Sequence, residues 1–267
     1  MLADFNPKKL LNLGCGNRYH CDWVNIDFIS TSRQVNPHDL SKGIPCSDNS
    51  VDVVYHSHVL EHFTKKNAVK FIKECYRVLK PGGVIRVAVP DLEIIAKNYL
   101  SFLLSALAGD KMAEANYDWS VLEMYDQAVR DCGGGEMKKY YRQENMLNKD
   151  FVKERMGYFF EIMTQKRTPK TGNTWKRRAV NFLRSITENL PGEKTRRLGK
   201  FRLSGEVHKW MYDRFSLARL LKNSGFREIC QRTAKESYME NWPSYNLDTE
   251  PDESVYKPNS LVMEAKK

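Results

Sequence analysis

Two groups of residues in this chain have the types and spacing to do chemistry. In the first, Gly14-Cys15-Gly16 follows a short apolar run, and Asp27 closes the next one. Glycines at such a turn let the backbone come close to a ligand. A carboxylate ending the neighbouring strand can accept two hydrogen bonds from the hydroxyls of a ribose. The second group is rich in imidazole: His56, His58 and His62, with Glu61, lie past a third apolar run, and His208 lies far downstream. Histidine is the natural proton acceptor near neutral pH. His208, in Val207-His208-Lys209-Trp210-Met211-Tyr212-Asp213, is the leading candidate for a general base, and His62 is the next. Asp91, just past Val89-Pro90, is placed to bind acceptor hydroxyls or to orient a histidine. The i, i+3, i+4 spacing of His58, Glu61 and His62 puts them on one face of a helix if that segment is helical. With His208 they could take up a divalent metal. The simpler expectation is that Glu61 and His62 cap and brace the helix, and the sequence leaves the metal open.

Positioning these groups requires a sheet. Apolar runs at 9–13, 23–27 and 51–55 read as strands, and 84–89 as a fourth after the break at Pro81-Gly82-Gly83. Ala68, Ile72, Cys75 and Leu79 recur at helical spacing behind Thr64, a candidate N-cap. Strands separated by helical or irregular crossovers predict a parallel sheet with covered faces. From 92 to 203 the pattern turns mostly helical, then a helix through Leu217, Leu220 and Leu221 and strands near 226–232 and 261–264 resume the rhythm. Three parts are predicted: a first core segment at 1–91, a basic helical insertion or lid at 92–203, and a second core segment at 204–267.

The fingerprint of a dinucleotide site is incomplete. The third glycine of G-x-G-x-x-G would fall at Tyr19, and Asp27 follows Gly14 by 13 residues, where a spacing of about 20 is expected. No G-K-[ST] follows the glycines either, so a nucleoside ligand without a pyrophosphate fits better. In that light Leu11-Asn12-Leu13-Gly14-Cys15-Gly16 with Asp27 resembles the first motifs of class I S-adenosylmethionine-dependent methyltransferases. His38-Asp39-Leu40, Ile44-Pro45, the run from Asp48 to Val54, His58-Val59-Leu60-Glu61-His62-Phe63 and Arg77-Val78-Leu79-Lys80-Pro81-Gly82-Gly83 resemble the motifs that follow in the same order.

The resemblance implies a Rossmann-like α/β sheet, mostly parallel with an antiparallel last strand, and S-adenosylmethionine as cofactor. It also implies that Gly14, Cys15 and Gly16 lie against the methionine part and that Asp27 holds the ribose. Phe28 would cover one adenine face, Asp39 would accept the adenine amino group, and Leu40 would lie against the ring. His56 and Ser57 would line the methyl-donor pocket. Two departures stand out: Asn12 occupies the place of the usual acid, and six residues between Gly16 and Trp23 are too few for a full helix. The adenosine side is therefore expected to be more open, or to be closed by the insertion.

The net charge of +10 is concentrated: 138–202 holds 18 Lys and Arg against 6 Asp and Glu. Trp175, Ala179, Phe182, Ile186 and Leu190 form an apolar stripe flanked by Lys176, Arg177, Arg178 and Arg184. This reads first as a lid packed on the core, and second as a surface for anionic lipid. No Asn/Asp-Pro-Pro-Tyr run follows the third strand, which favours an oxygen acceptor. The run at 208–213, Gly225-Phe226 and the stretch from Lys257 to Lys266 resemble bacterial methyltransferases encoded among cell-surface polysaccharide genes. That implies O-methylation of a sugar in a glycan or a lipid-linked precursor. Alternatives are an RNA methyltransferase using phosphate contacts, a small-molecule O-methyltransferase, and a non-catalytic relative that only binds the cofactor. Strand character from Leu10 onward leaves no room for a leader, apolar stretches such as 102–108 are too short to span a bilayer, and six cysteines form no C-x-x-C pair. A cytoplasmic protein is expected, with possible peripheral contact at the inner membrane face.

Overall fold

The computed structural model describes residues 8–164 and 191–267. Seven strands form one sheet in the order β3-β2-β1-β4-β5-β7-β6. They are β1 (Leu10–Leu13), β2 (Trp23–Asp27), β3 (Val35–Pro37), β4 (Val51–Ser57), β5 (Leu79–Pro90), β6 (Arg227–Arg232) and β7 (Ser260–Lys266). The first five pair in parallel, and β7 runs antiparallel to both of its neighbours. This is the Rossmann-like sheet that the sequence implied, with one strand more than its apolar runs revealed: β3 carries a single buried residue, Val35.

The strand order reverses between β1 and β4, so the chain leaves their carboxyl ends in opposite directions and a crevice opens there. Helix α1 (Lys65–Val78) covers one face through Ala68, Phe71, Ile72, Cys75 and Val78, and starts where Thr64 accepts a hydrogen bond from the Asn67 N–H. Beside it lie Leu217 and Leu221 of the helix Arg214–Asn223, which begins with a capping box between Asp213 and Ser216. Each such aliphatic side chain contributes about 1.5–3 kcal/mol through burial.

The other face, beside β1, β2 and β4, has no helix between Gly16 and Trp23. Met239, Trp242 and Leu247 fold over it instead, packing on Leu10, Trp23, Val53 and Tyr55. Arg86 of β5 anchors this loop: it bonds Asp248 and Glu264 at 2.8 Å each and donates to the carbonyls of Thr233, Ala234 and Glu236.

Between β5 and the helix at 214–223 the described chain is helical. It comprises α2 (Leu92–Leu107), α3 (Lys111–Val129), α4 (Gly135–Tyr140), α5 (Lys149–Met156), α6 (Tyr158–Thr164) and α7 (Glu193–Arg202); the helix Arg214–Asn223 is then α8. Trp119, Met137, Tyr141, Val152, Met156 and Phe160 give this region a small core of its own. The expected stripe from Trp175 to Leu190 and its flanking cations lie outside the described residues. Among the described residues no helix is long and apolar enough to cross a membrane.

Candidate functional site

Parallel pairing sets Leu13 beside Ile26, so the turn after β1 and the last residue of β2 emerge together. Gly14 N–H donates to the Ile26 carbonyl at 2.7 Å, and Gly16 N–H donates to Asp27 Oδ2 at 2.7 Å. The other oxygen of Asp27 has no hydrogen-bond partner among the described residues. Gly14 and Gly16 have φ of +65° and +54°. A Cβ at Gly14 would collide with Val59, whereas one at Gly16 would meet nothing within 4 Å. The turn is therefore wedged against the loop after β4 while its second glycine faces open space.

That space is a cleft of about 870 Å³. Gly14, Asp27, Phe28, Asp39 and Leu40 form one wall, and His58, Val59 and His62 form part of the other. Phe28 is 69% exposed, as the missing helix between β1 and β2 leads one to expect, and is free to lie on a flat ring. Asp39 accepts from the Ser41 hydroxyl and N–H at 2.7 and 3.0 Å, bonds that hold its carboxyl below the usual range. Cys15 is buried beneath the turn, where desolvation and then the charge of Asp27 push its thiol up to about 11. It stays a neutral packing residue. The groups needed to hold an adenosine compound are thus present: a backbone turn with open space before it, a carboxylate oxygen to spare, and an uncovered aromatic ring.

Four expected positions are corrected. Alternate residues of a strand take opposite faces, and in β4 this sends His56 towards α1, where its ring meets Phe71 edge-on at 5.1 Å. It is 0% exposed, neither ring nitrogen has a hydrogen-bond partner, and burial pushes the imidazole down to about 4. His56 is core, not cleft wall, and Ser57 on the other face does not line the cleft either. Asp91 is the N-cap of α2, accepting from the N–H groups of Glu93 and Ile94 at 2.9 and 3.3 Å, and burial raises its carboxyl. A carboxylate committed to a buried cap is not presented to an acceptor. His208 is 7% exposed and reaches neither the cleft nor the cavity described below, and burial pushes it down to about 3. So weakly basic an imidazole makes a poor proton acceptor.

What the structure does bring together is an imidazole cluster around Glu61. Leu60–His62 is a 3-10 turn, and His58 precedes it in the left-handed region at φ +55°. Lys209 N–H donates to the Glu61 carbonyl at 2.7 Å, which ties the distant segment bearing His208 to this turn. His58 Nδ1 lies 3.3 Å and His208 Nε2 3.9 Å from Glu61 Oε1, and the rings of His62 and His208 meet edge-on at 4.8 Å. Burial raises the Glu61 carboxyl, but the contact with His58 and the imidazoles of His208 and His62 outweigh it and hold it down at about 2. His58 Nε2 and the Ser260 hydroxyl oxygen lie 2.8 Å apart, within hydrogen-bond distance.

A second cavity of about 280 Å³ lies between the strand ends and the helical region. Met137, Met156, Met163 and Phe159 supply an apolar wall, and Arg130, Lys257 and Asn259 supply polar groups. Burial pushes the Lys257 ammonium down to about 8. Of the groups able to take a proton, His58 and Glu206 line both this cavity and the cleft. Sequence reading passed over His58 as a base, because its left-handed backbone and its contact with Ser260, 202 residues away, leave no local mark. It also passed over Lys257, whose burial depends on the helical region.

Residues 11–87 match the family model described as "Methyltransferase domain". A Mycolicibacterium smegmatis protein described as "Probable S-adenosylmethionine-dependent methyltransferase" is 33% identical over 101 residues, covering 32% of this chain and 38% of that one. The ubiquinone/menaquinone biosynthesis C-methyltransferase UbiE of Pseudoalteromonas translucida is 30% identical over 128 residues, covering 46% of this chain and 47% of the other. The chain thus spans less than half the length of these two curated relatives. Among solved structures, a SAM-dependent methyltransferase from Archaeoglobus fulgidus aligns over 98% of this chain and 87% of its own, at 12% identity and a TM-score of 0.39.

Proposed function

We propose that this chain is an S-adenosylmethionine-dependent methyltransferase that methylates a hydroxyl group, with His58 as general base. The observation that carries this reading is the placement of His58 in the walls of both the cleft beside Gly14 and Asp27 and the adjoining cavity. Asp27 would hold the ribose with its spare oxygen, Phe28 would cover the adenine, and the glycine turn would face the methionine part. When bound, S-adenosylmethionine supplies the electrophilic methyl: a C–O bond forms as the C–S bond breaks, leaving the neutral thioether. The acceptor's proton then needs a base. Burial lowers the basicity of His58, and the Glu61 carboxylate beside Nδ1 opposes this and favours a proton on Nδ1, leaving Nε2 as the basic atom, in contact with the Ser260 hydroxyl. Holding the reacting atoms about 3–3.5 Å apart supplies much of the acceleration.

The acceptor is a sugar hydroxyl in a glycan or its lipid-linked precursor. An apolar thioether wall beside Arg130 and Lys257 suits an amphiphilic, anionic molecule of that kind. Labelled methyl transfer to extracted glycans, lipid-linked sugars and mixed RNA, run in parallel, tests it. Label in the sugar fractions is expected. Label in RNA alone would assign the cationic 138–202 segment to phosphate contacts and overturn the glycan reading.

A further inference from the structure

We infer that Glu61, His62 and His208 form a binding site for one divalent transition-metal ion. Their donor atoms, one from each, all lie within 4.8 Å of one another. Glu61 is 0% exposed and neither carboxylate oxygen has a hydrogen-bond partner of good geometry. A buried carboxylate left in this state is costly unless a cation or a set of donors completes it. The ion-pair neighbours of Glu61 are the imidazoles of His58 and His208, and among the described residues no lysine or arginine forms an ion pair with it, although the Lys257 ammonium and the Tyr212 hydroxyl feel its charge. A cation bound between Glu61, His62 and His208 completes all three groups at once.

The surrounding contacts are those of a built ligand set. His62 Nδ1 lies 3.3 Å from the Val207 carbonyl, so the N–H belongs on Nδ1 and the Nε2 lone pair is left for a ligand bond. A metal-bound histidine is ordinarily oriented by such a bond from its other nitrogen. His58 approaches Glu61 Oε1 from its Nδ1 and steadies the carboxylate in the same way, from outside the ligand set. Two imidazoles and one carboxylate suit zinc, iron, cobalt, nickel or manganese, whereas calcium and magnesium prefer oxygen ligands alone. Three protein ligands also leave coordination positions open, as in metal sites that take a substrate or water. His62 lies in the wall of the cleft, so an acceptor oxygen entering there comes within reach of the ion. That last use rests on the methyl-transfer reading; the site itself does not.

Cobalt(II) is the probe. Full-length protein stripped with a chelator and dialysed should bind one equivalent of Co(II), with visible ligand-field bands of a four- or five-coordinate ion, and Zn(II) should displace it. His62→Ala and His208→Asn should each weaken binding at least about tenfold, the loss typical when a ligand or its support is removed. Circular dichroism on both variants shows that the fold survives, and S-adenosylmethionine calorimetry on His208→Asn, whose ring does not line the cleft, shows that the cofactor cleft survives. The exposed group His20, Cys21 and Asp22 could also gather a metal, so Cys21→Ser is the control and should leave the bands unchanged. Absence of stoichiometric binding, or bands lost with Cys21→Ser and kept in His62→Ala and His208→Asn, overturns the site. Because none of these readouts is methyl transfer, a failed metal site and a failed methyltransferase reading give different results.

Discussion

His58 and His56 sit two residues apart in sequence and have opposite fates, because one ends the alternation of β4 and the other obeys it. His58→Asn should lower the methyl-transfer rate by roughly 10²–10⁴ while leaving S-adenosylmethionine affinity within a few-fold, the signature of a lost base. An unchanged rate would remove it from the mechanism. His56 has a consequence for stability. Its imidazole titrates at about 4 in the fold, against 6.5 when exposed in the unfolded chain. Between those values the unfolded chain binds more protons, so stability falls as pH drops through that window and is fully present above it. The effect is worth roughly 3 kcal/mol at most. His56→Leu should therefore flatten the change in urea midpoint between about pH 6.5 and 4, and an unaltered slope would mean the ring is solvated. At this scale the meeting of Gly14, Gly16 and Asp27 at one edge of the cleft was legible in the sequence, because it follows from backbone freedom and strand ends. His56, Asp91 and His208 were misread because burial and capping depend on the face a strand presents and on what packs there.

The turn after β1 meets the loop after β4 where Gly14 abuts Val59. Gly14→Ala should reduce cofactor affinity at least about tenfold, through this clash and through the positive φ that an L side chain resists. Adding Val59→Ala should recover part of the loss if the clash dominates, and none of it if backbone strain does; calorimetry on the pair distinguishes the two. On the far face, Arg86 is 1% exposed and holds the 233–248 loop to β5 and β7. Arg86→Met leaves Asp248 buried without its cation and Glu264 with Arg232 alone, and should cost roughly 3–5 kcal/mol in denaturant unfolding. A loss below about 1 kcal/mol would show that the carboxylates find other partners or protonate. Strands β1, β2, β4 and β5 and helix α1 could be read from periodicity, since each buries a continuous or regularly spaced apolar set. The loop that replaces a helix on the second face could not. Met239, Trp242 and Leu247 follow no period, and their place is set by Arg86, more than 150 residues earlier.

Across the whole molecule, the sheet's reversal between β1 and β4 fixes where a ligand can lie, and the helical region after β5 closes a second cavity against the same strand ends. The mostly parallel sheet with its antiparallel last strand was legible because five motifs occur in sequence. The second cavity was not, because Met137, Met156 and Lys257 meet only after the chain has left the sheet and returned. Everything functional depends on the first of these features. Titrating S-adenosylmethionine into the wild-type protein and into Asp27→Ala by calorimetry tests it directly. One site per chain is expected in the wild type, with affinity falling at least about tenfold in the variant as two hydrogen bonds to a charged acceptor are lost. Equal affinity in both proteins, or no binding to a folded wild type, would contradict the account.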